Sequence, residues 1–189
     1  SAFRAGTGQV KSFPNILSRK DNEMKAAQEL ALWIESNQER YYKVAFSYVK
    51  NRDDALDIVH DAIVKALQSF HTLRNPAYAK TWFYRILINE SLSFLRQNRR
   101  VIPLEELQAQ QVPPAGDLTD AHKNEYIDLY AAIDKLPPDM KTIVILRFFE
   151  DLKYEEIAEI TSTNLNTVKS RLHRAIRHLK LEMEVLEDD

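Results

Sequence analysis

The chain has 189 residues, of which 44% are hydrophobic, no cysteine and a formal net charge of -2. This length allows one medium domain or two small ones, and the lack of cysteine excludes disulfides and thiolate zinc sites. No apolar run approaches the roughly 18–20 residues that span a bilayer, so we expect a soluble, cytoplasmic protein.

Two helical blocks are expected, and the first covers residues 25–100. Residues 1–24 show no sustained hydrophobic period, so we expect a disordered tail there and assign it no function. Between residues 41 and 70, apolar residues recur at steps of three and four, as one face of a helix requires. Asn51 interrupts this pattern and is expected to cap a second helix. Residues 77–97 predict another helix.

Residues 101–121 break the helical pattern. Three prolines and one glycine occur in this stretch without a clear period. So long an irregular segment is unusual inside one compact domain. We therefore predict an extended linker between two helical domains, the second over residues 122–183, and an all-α fold. Residues 142–149, TIVILRFF, are compatible with a strand or a helix, and helix is favoured because helices are predicted on both sides.

Residues 154–180 predict a helix-turn-helix. A short helix over residues 154–160 is followed by a polar break at residues 161–164, where Asn164 can cap the next helix. The second helix has an apolar side and a polar, basic side, as a DNA-reading helix does. Lys and Arg neutralise phosphates, and Arg can also bind guanine bidentately. The polar side contains Asn166, Lys169, Ser170, His173, Arg174 and Arg177.

Residues 76–100 form a second basic segment, with five basic residues and one acid. Aromatic residues lie between these cations, a combination that suits single-stranded DNA because its bases stack on rings. Most of the aromatic side chains, Trp82 especially, are nevertheless expected in the core.

An acidic row precedes that segment. Asp54, Asp57 and Asp61 follow the spacing i, i+3, i+7 on one helix face, which would steer a basic partner or form a solvated surface. A metal site built from Asp57, His60 and Asp61 is a remote alternative. Di-metal helical bundles use repeated Glu-x-x-His pairs, which are absent here, so no metal, cofactor or catalytic residue is expected.

These segments together resemble a known family. Residues 151–180, DLKYEEIAEITSTNLNTVKSRLHRAIRHLK, are similar to region 4 of extracytoplasmic-function (ECF) sigma factors of bacterial RNA polymerase. Residues 41–70 resemble regions 2.1–2.2, and residues 81–100 resemble regions 2.3–2.4. The resemblance covers roughly residues 38–183. Within the family, the chain is similar to the sigma-V-like branch of Bacillus-type bacteria. The family often has Gly-Ile-Pro in the turn where this chain has Ser162-Thr163-Asn164, and Ser in a left-handed position costs on the order of 1 kcal/mol.

The resemblance implies a transcription initiation factor that is not an enzyme. Such a protein would bind the β and β′ subunits of core polymerase, recognise the -35 and -10 promoter elements, and be held by a membrane-bound anti-sigma factor. A two-domain helix-turn-helix regulator that does not bind polymerase is the alternative. The implied contacts are Asn166, Lys169, Ser170, His173, Arg174 and Arg177 for the -35 element; Lys80, Tyr84, Asn89, Arg96, Arg99 and Arg100 for the -10 element; and Asp54, Asp57 and Asp61 for core polymerase.

Overall fold

The computed structural model describes residues 21–98 and 128–187, and these form two helical units. The first unit consists of α1 (Asp21–Ser36), α2 (Gln38–Val49), α3 (Arg52–Ser69) and α4 (Ala79–Asn98). The second consists of α5 (residues 128–134), α6 (Pro138–Val144), α7 (Tyr154–Thr161) and α8 (Leu165–Glu187). No strand occurs within the described residues. The prediction of an all-α fold with two helical units is confirmed.

The ends of the predicted domains are only partly covered. Helix α1 begins at Asp21, so the last residues of the predicted tail are helical. Residues 1–20 and the whole predicted linker, 101–121, lie outside the described residues. The domain boundaries therefore stay a prediction.

The chain between α2 and α3 shows how local sequence sets the helix ends. Lys50 adopts the left-handed conformation, with φ of 55°, and ends α2. The Asn51 side chain then accepts a hydrogen bond from the backbone N–H of Asp54 at 3.0 Å. This bond satisfies one of the free N–H groups at the start of α3, so the predicted cap is confirmed.

The ambiguous segment, residues 142–149, is helical as expected, but it ends in an unusual turn. Helix α6 starts with Pro138 in its first turn, where the missing N–H costs nothing. It continues as a π-helical turn over Ile145–Phe149, and the N–H of Glu150 donates to the carbonyl of Ile145 at 3.1 Å. Such a turn contains an extra residue and changes the direction in which the next side chains point. Phe149 is left exposed and Glu150 is buried.

The hydrophobic cores of the two units are continuous. Tyr41 lies at the centre of the first unit, with ring centroids 4.6 Å from Phe83 and 5.4 Å from Tyr84. Trp82, which was expected in the core, is partly buried and packs against it. Helix α4 of the first unit packs against α7 of the second. The two units are thus docked on each other in this structure.

Candidate nucleic-acid interface

The turn of the helix-turn-helix is closed by backbone hydrogen bonds around a left-handed serine. Ser162 has φ of 52° and ψ of 42°. The N–H of Thr163 donates to the carbonyl of Ala158 at 3.0 Å, and the N–H of Ser162 donates to that of Glu159 at 3.3 Å. This is the Schellman arrangement that ends many helices, usually with glycine at the left-handed position. Ser162 therefore adopts the left-handed conformation despite the cost of its Cβ.

Asn164 fixes the start of α8. Its side-chain oxygen accepts hydrogen bonds from the backbone N–H of Thr167 at 2.8 Å and from the Thr167 hydroxyl at 2.9 Å. The predicted cap is therefore present. Because the Schellman turn and this cap are adjacent, they set the angle at which α8 leaves α7.

Helix α8 has one buried face and one exposed face. Val168, Leu172 and Ala175 are buried, and Arg171 is held against the second unit by an ion pair with Asp139 at 3.3 Å. Every residue predicted to read the -35 element is exposed: Asn166, Lys169, Ser170, His173, Arg174 and Arg177.

The cations of this exposed face are available to a ligand. Within residues 21–98 and 128–187, neither Lys169, Arg174 nor Arg177 forms an ion pair. Lys180 was not among the predicted contacts, but it lines the same open groove as His173 and Arg177. Its position three residues after Arg177 could have indicated this, since residues three apart share a helix face.

The residues predicted for the -10 element are not brought together on α4. Tyr84 is buried and Lys80 is half-buried, whereas Asn89 and Arg96 are exposed. At 100° per residue, Asn89 lies about 140° around the helix from Tyr84, and Arg96 lies within about 20° of Asn89. The remaining two predicted residues, Arg99 and Arg100, lie outside the described residues.

Arg85 belongs with the exposed pair, although sequence reasoning did not assign it to the site. It is exposed and lies about 40° around α4 from Asn89. Its Nη2 donates to the hydroxyl of Ser162 in the helix-turn-helix at 2.9 Å. The spacing i, i+4 between Arg85 and Asn89 was the available signal.

The Tyr84 hydroxyl faces the second unit instead of solvent. It donates a hydrogen bond to the carboxylate of Glu150. Burial, together with the nearby Glu150 carboxylate, raises the pKa of Tyr84 well above its ordinary value, so the hydroxyl stays protonated and acts as a donor. In the docked arrangement this side chain has no access to DNA.

The predicted polymerase-binding row lies along α3. Asp57 and Asp61 are exposed, and Asp54 is half-buried. Burial raises the pKa of Asp54, and the neighbouring carboxylates of Asp57 and Asp53 raise it further. Helix α3 also carries three large apolar side chains beside this row, each about two-fifths exposed: Leu56, Val64 and Leu67. A partly exposed apolar stripe flanked by charge is typical of a protein-binding surface.

The described residues were also searched for metal-binding clusters and for membrane-spanning helices. Within the described ranges, no group of three or more His, Asp or Glu side chains is placed to hold a metal ion. Nor does any helix in those ranges combine the length and the hydropathy needed to cross a membrane.

Comparison with known proteins links both helical units to one family. Residues 33–101 match the family described as "Sigma-70 region 2", and residues 126–179 match that described as "Sigma-70, region 4". The chain is 46% identical over 154 residues to the RNA polymerase sigma factor SigV of Bacillus subtilis, covering 82% of this chain and 90% of that protein. It is 31% identical over 194 residues to the ECF RNA polymerase sigma-E factor of Haemophilus influenzae, covering 97% and 93%.

Solved structures show the same architecture. The sigma factor RpoE of Bartonella quintana, in complex with the anti-sigma factor NepR, superposes with a TM-score of 0.64 at 27% identity, covering 84% of this chain and 96% of that one. CnrH, in complex with the cytosolic domain of CnrY, gives a TM-score of 0.64 at 17% identity, covering 86% and 95%. At that identity, the second similarity shows the fold alone.

Proposed function

Since the chain belongs to the sigma-70 family, as an ECF-type, sigma-V-like sigma factor, we propose specific roles for its surfaces in transcription initiation in the cytoplasm. The first unit binds core RNA polymerase and the -10 element, and the second binds the -35 element. The observation that carries this proposal is the exposed, unpaired basic face of α8 on a capped helix-turn-helix. The role is one of binding and not of catalysis.

The exposed face of α8 divides into base and phosphate contacts. We assign base edges to Ser170 and Arg174, because a short hydroxyl and a guanidinium match the donors and acceptors of the major groove. Lys169 and Arg177 are assigned to phosphates, and Asn166 and His173 complete the surface. The Ser170 hydroxyl now donates to the Thr167 carbonyl at 3.1 Å, and its oxygen still has a free lone pair.

The experiment for this surface compares Arg174→Ala with Lys169→Ala against every single-base variant of the -35 element at two salt concentrations. Loss of Arg174 is expected to cost about 1–3 kcal/mol and to relax preference at one position. Loss of Lys169 should weaken all sequences alike and reduce the salt slope by about one. Lys135→Ala is the control, since Lys135 is bonded to Glu182 away from the exposed face. If both test variants lose affinity equally for every -35 sequence, α8 contacts only the DNA backbone.

For the -10 element we propose that Asn89 and Arg96, joined by Arg85, contact the non-template strand, and that Lys80 and Tyr84 do so after the two units separate. Arg99 and Arg100 continue the basic segment. Ala substitution of Asn89 should impair promoter opening more than duplex binding, and a pre-melted template should rescue it. Failure of the pre-melted template to rescue Asn89→Ala would contradict this role.

The exposed face of α3 is proposed to bind the β′ subunit of core polymerase through Asp57 and Asp61, with Asp54 behind them. Reversing both charges, Asp57→Lys with Asp61→Lys, should weaken core association. The matched control is Glu155→Lys with Glu159→Lys, an exposed pair with the same spacing on α7. Equal core affinity in the two double variants would refute the assignment. Binding to core also distinguishes a sigma factor from a helix-turn-helix regulator that does not bind polymerase.

We further propose that a membrane-bound anti-sigma factor regulates this protein. Support comes from the RpoE relative, whose structure was solved in complex with an anti-sigma factor. Deletion of a neighbouring membrane-protein gene should raise transcription from promoters that depend on this chain. Unchanged activity after deletion of every such neighbour would contradict the proposal.

A further inference from the structure

The exposed face of α8 has two edges, and a basic residue lies at each. At 100° per residue, Ser170 lies about 160° from both Val168 and Leu172, so it is opposite the buried face. Lys169 and Arg171 lie about 100° from Ser170 on either side of it. Lys169 is exposed, and 27% of the Arg171 side chain is exposed. The two cations therefore point towards opposite sides of any groove that α8 enters with Ser170 foremost.

The major groove of DNA has the dimensions for contacts at both edges of the helix. An α-helix with its side chains is about 10–12 Å across, and the major groove is about 12 Å wide. A helix in the groove thus lies between the phosphates of the two strands. With Ser170 towards the bases, Lys169 faces the phosphates of one strand and Arg171 those of the other.

An acidic residue outside the helix-turn-helix holds Arg171 at its edge. Oδ2 of Asp139, in the first turn of α6, lies 3.3 Å from Nε of Arg171. Oδ1 of the same carboxylate accepts a hydrogen bond from the backbone N–H of Met140 at 3.0 Å. Helix α6 packs against α8, so the carboxylate is fixed on one helix and restrains a guanidinium of the other.

Contact through Nε leaves the outer end of the Arg171 guanidinium for a second acceptor. Nη1 and Nη2 carry four of its five N–H donors, and a phosphate can accept two such donors at once. A free arginine side chain loses rotamer freedom when it binds, and restriction before binding reduces that loss. The side chain of Asp139 is 47% exposed, so water and salt screen its repulsion of a nearby phosphate.

We propose that Arg171 contacts a phosphate on the strand opposite to the one that Lys169 contacts, and that Asp139 is the positioning residue for this contact. The inference rests on the proposed role of α8 at the -35 element. Phosphate contacts fix the register of a protein on DNA. Contacts to both strands would fix the sideways position of α8, and with it the bases that Ser170 and Arg174 meet.

The experiment uses the full chain bound to core polymerase, with promoter duplexes in which one -35 phosphate at a time is replaced by a neutral methylphosphonate. For the parent chain, replacement should lower affinity on both strands of the groove. Arg171→Ala should be insensitive at a phosphate of one strand, and Lys169→Ala at a phosphate of the other, and each should lower the salt slope by about one. Arg171→Lys keeps the charge and should keep the slope.

A purely structural role for Arg171 would lower affinity without removing sensitivity at one phosphate of one strand. Sensitivity of the parent chain on one strand alone would overturn the two-strand contact without the use of any variant. Insensitivity of Arg171→Ala and Lys169→Ala on the same strand would also overturn it.

Asp139→Ala tests positioning by the sign of its effect. Electrostatics alone predicts that removal of an acid beside DNA raises affinity. Positioning predicts a loss of roughly 2- to 12-fold, as for the ordering of one long side chain, with an unchanged salt slope because Arg171 keeps its charge. Glu155→Ala, which removes another exposed acid of the second unit, is the control and should cause no loss. Unchanged or raised affinity in Asp139→Ala, or an equal loss when Arg171→Ala is already present, would overturn the positioning role.

The same series separates this inference from the proposed function. If Arg174→Ala and Lys169→Ala leave -35 binding unchanged, α8 does not read that element and the proposed function fails. If both act as expected while Arg171→Ala behaves like the Lys135→Ala control, the contact by Arg171 alone is refuted.

Discussion

Replacement of Ser162 by glycine should stabilise the helix-turn-helix. The serine sits at φ of 52° in the turn between α7 and α8, where its Cβ crowds the backbone. That conformation costs a residue with a Cβ roughly 1–2 kcal/mol. Glycine has no Cβ but loses more backbone freedom on folding, at a cost of roughly 0.5–1 kcal/mol. The expected net gain is about 0.5–1 kcal/mol.

The Ser162 side chain adds a second, opposing term, because its hydroxyl accepts the bond from Arg85 at 2.9 Å. Ser162→Ala separates the two effects, since it removes the hydroxyl and keeps the Cβ. Both variants lose the Arg85 bond, so the difference between their unfolding free energies is the backbone strain less the entropy cost of glycine. For a chain of this size, 1 kcal/mol corresponds to a Tm shift of about 2–4 °C.

The assay is thermal and urea unfolding of the parent, Ser162→Gly and Ser162→Ala chains at one pH and salt concentration. We expect Ser162→Gly to exceed Ser162→Ala by about 0.5–1 kcal/mol in unfolding free energy, which is the strain less the entropy cost of glycine. If glycine is no more stable than alanine, the turn is not strained and the reasoning fails. Affinity for a -35 duplex should be retained in Ser162→Gly, because the Schellman bonds come from the backbone.

Two further predictions concern the cap of α8 and the buried carboxylate. Asn164→Ala removes the bonds to Thr167 and should lower the unfolding free energy by about 1 kcal/mol. Asn164→Asp can still accept these bonds and should keep most of the parent's unfolding free energy. Equal losses in the two variants would exclude capping as the cause. Burial raises the pKa of Glu150 above its usual 4.5. The folded chain therefore holds a proton that the unfolded chain has released, and stability falls as pH rises from about 4.5 through the raised pKa. Glu150→Gln should lack this dependence in urea titrations at several pH values, and an unchanged pH profile would contradict it.

Local sequence was sufficient to predict the helices and the exposed face of α8. The period of the apolar residues and the cap residues Asn51 and Asn164 depend on neighbours a few positions away, so they can be found without the fold. The exposed face of α8 was predictable for the same reason. Apolar and polar residues on an amphipathic helix separate by the 3.6-residue period alone.

The docking of the two units could not be predicted in this way. Tyr84 and Glu150 are 66 positions apart, and nothing near either residue indicates that they meet. The π-turn that places Glu150 inward also has no sequence signal, since TIVILRFF suits an ordinary helix or a strand. Tyr84 was assigned to DNA by resemblance, which carries a position in the sequence but not the conformation of the free chain.

The bond between Arg85 and Ser162 makes one guanidinium serve two competing contacts. The same group that would neutralise a phosphate beside α4 now bonds the turn of the helix-turn-helix. Where a phosphate draws the guanidinium away from Ser162, the two contacts are thermodynamically linked. Any nucleic acid that takes Arg85 must disfavour the docked arrangement by the same factor by which docking weakens its own binding. DNA that binds Arg85 in this way, as proposed, would select between the two arrangements in addition to being read by one of them.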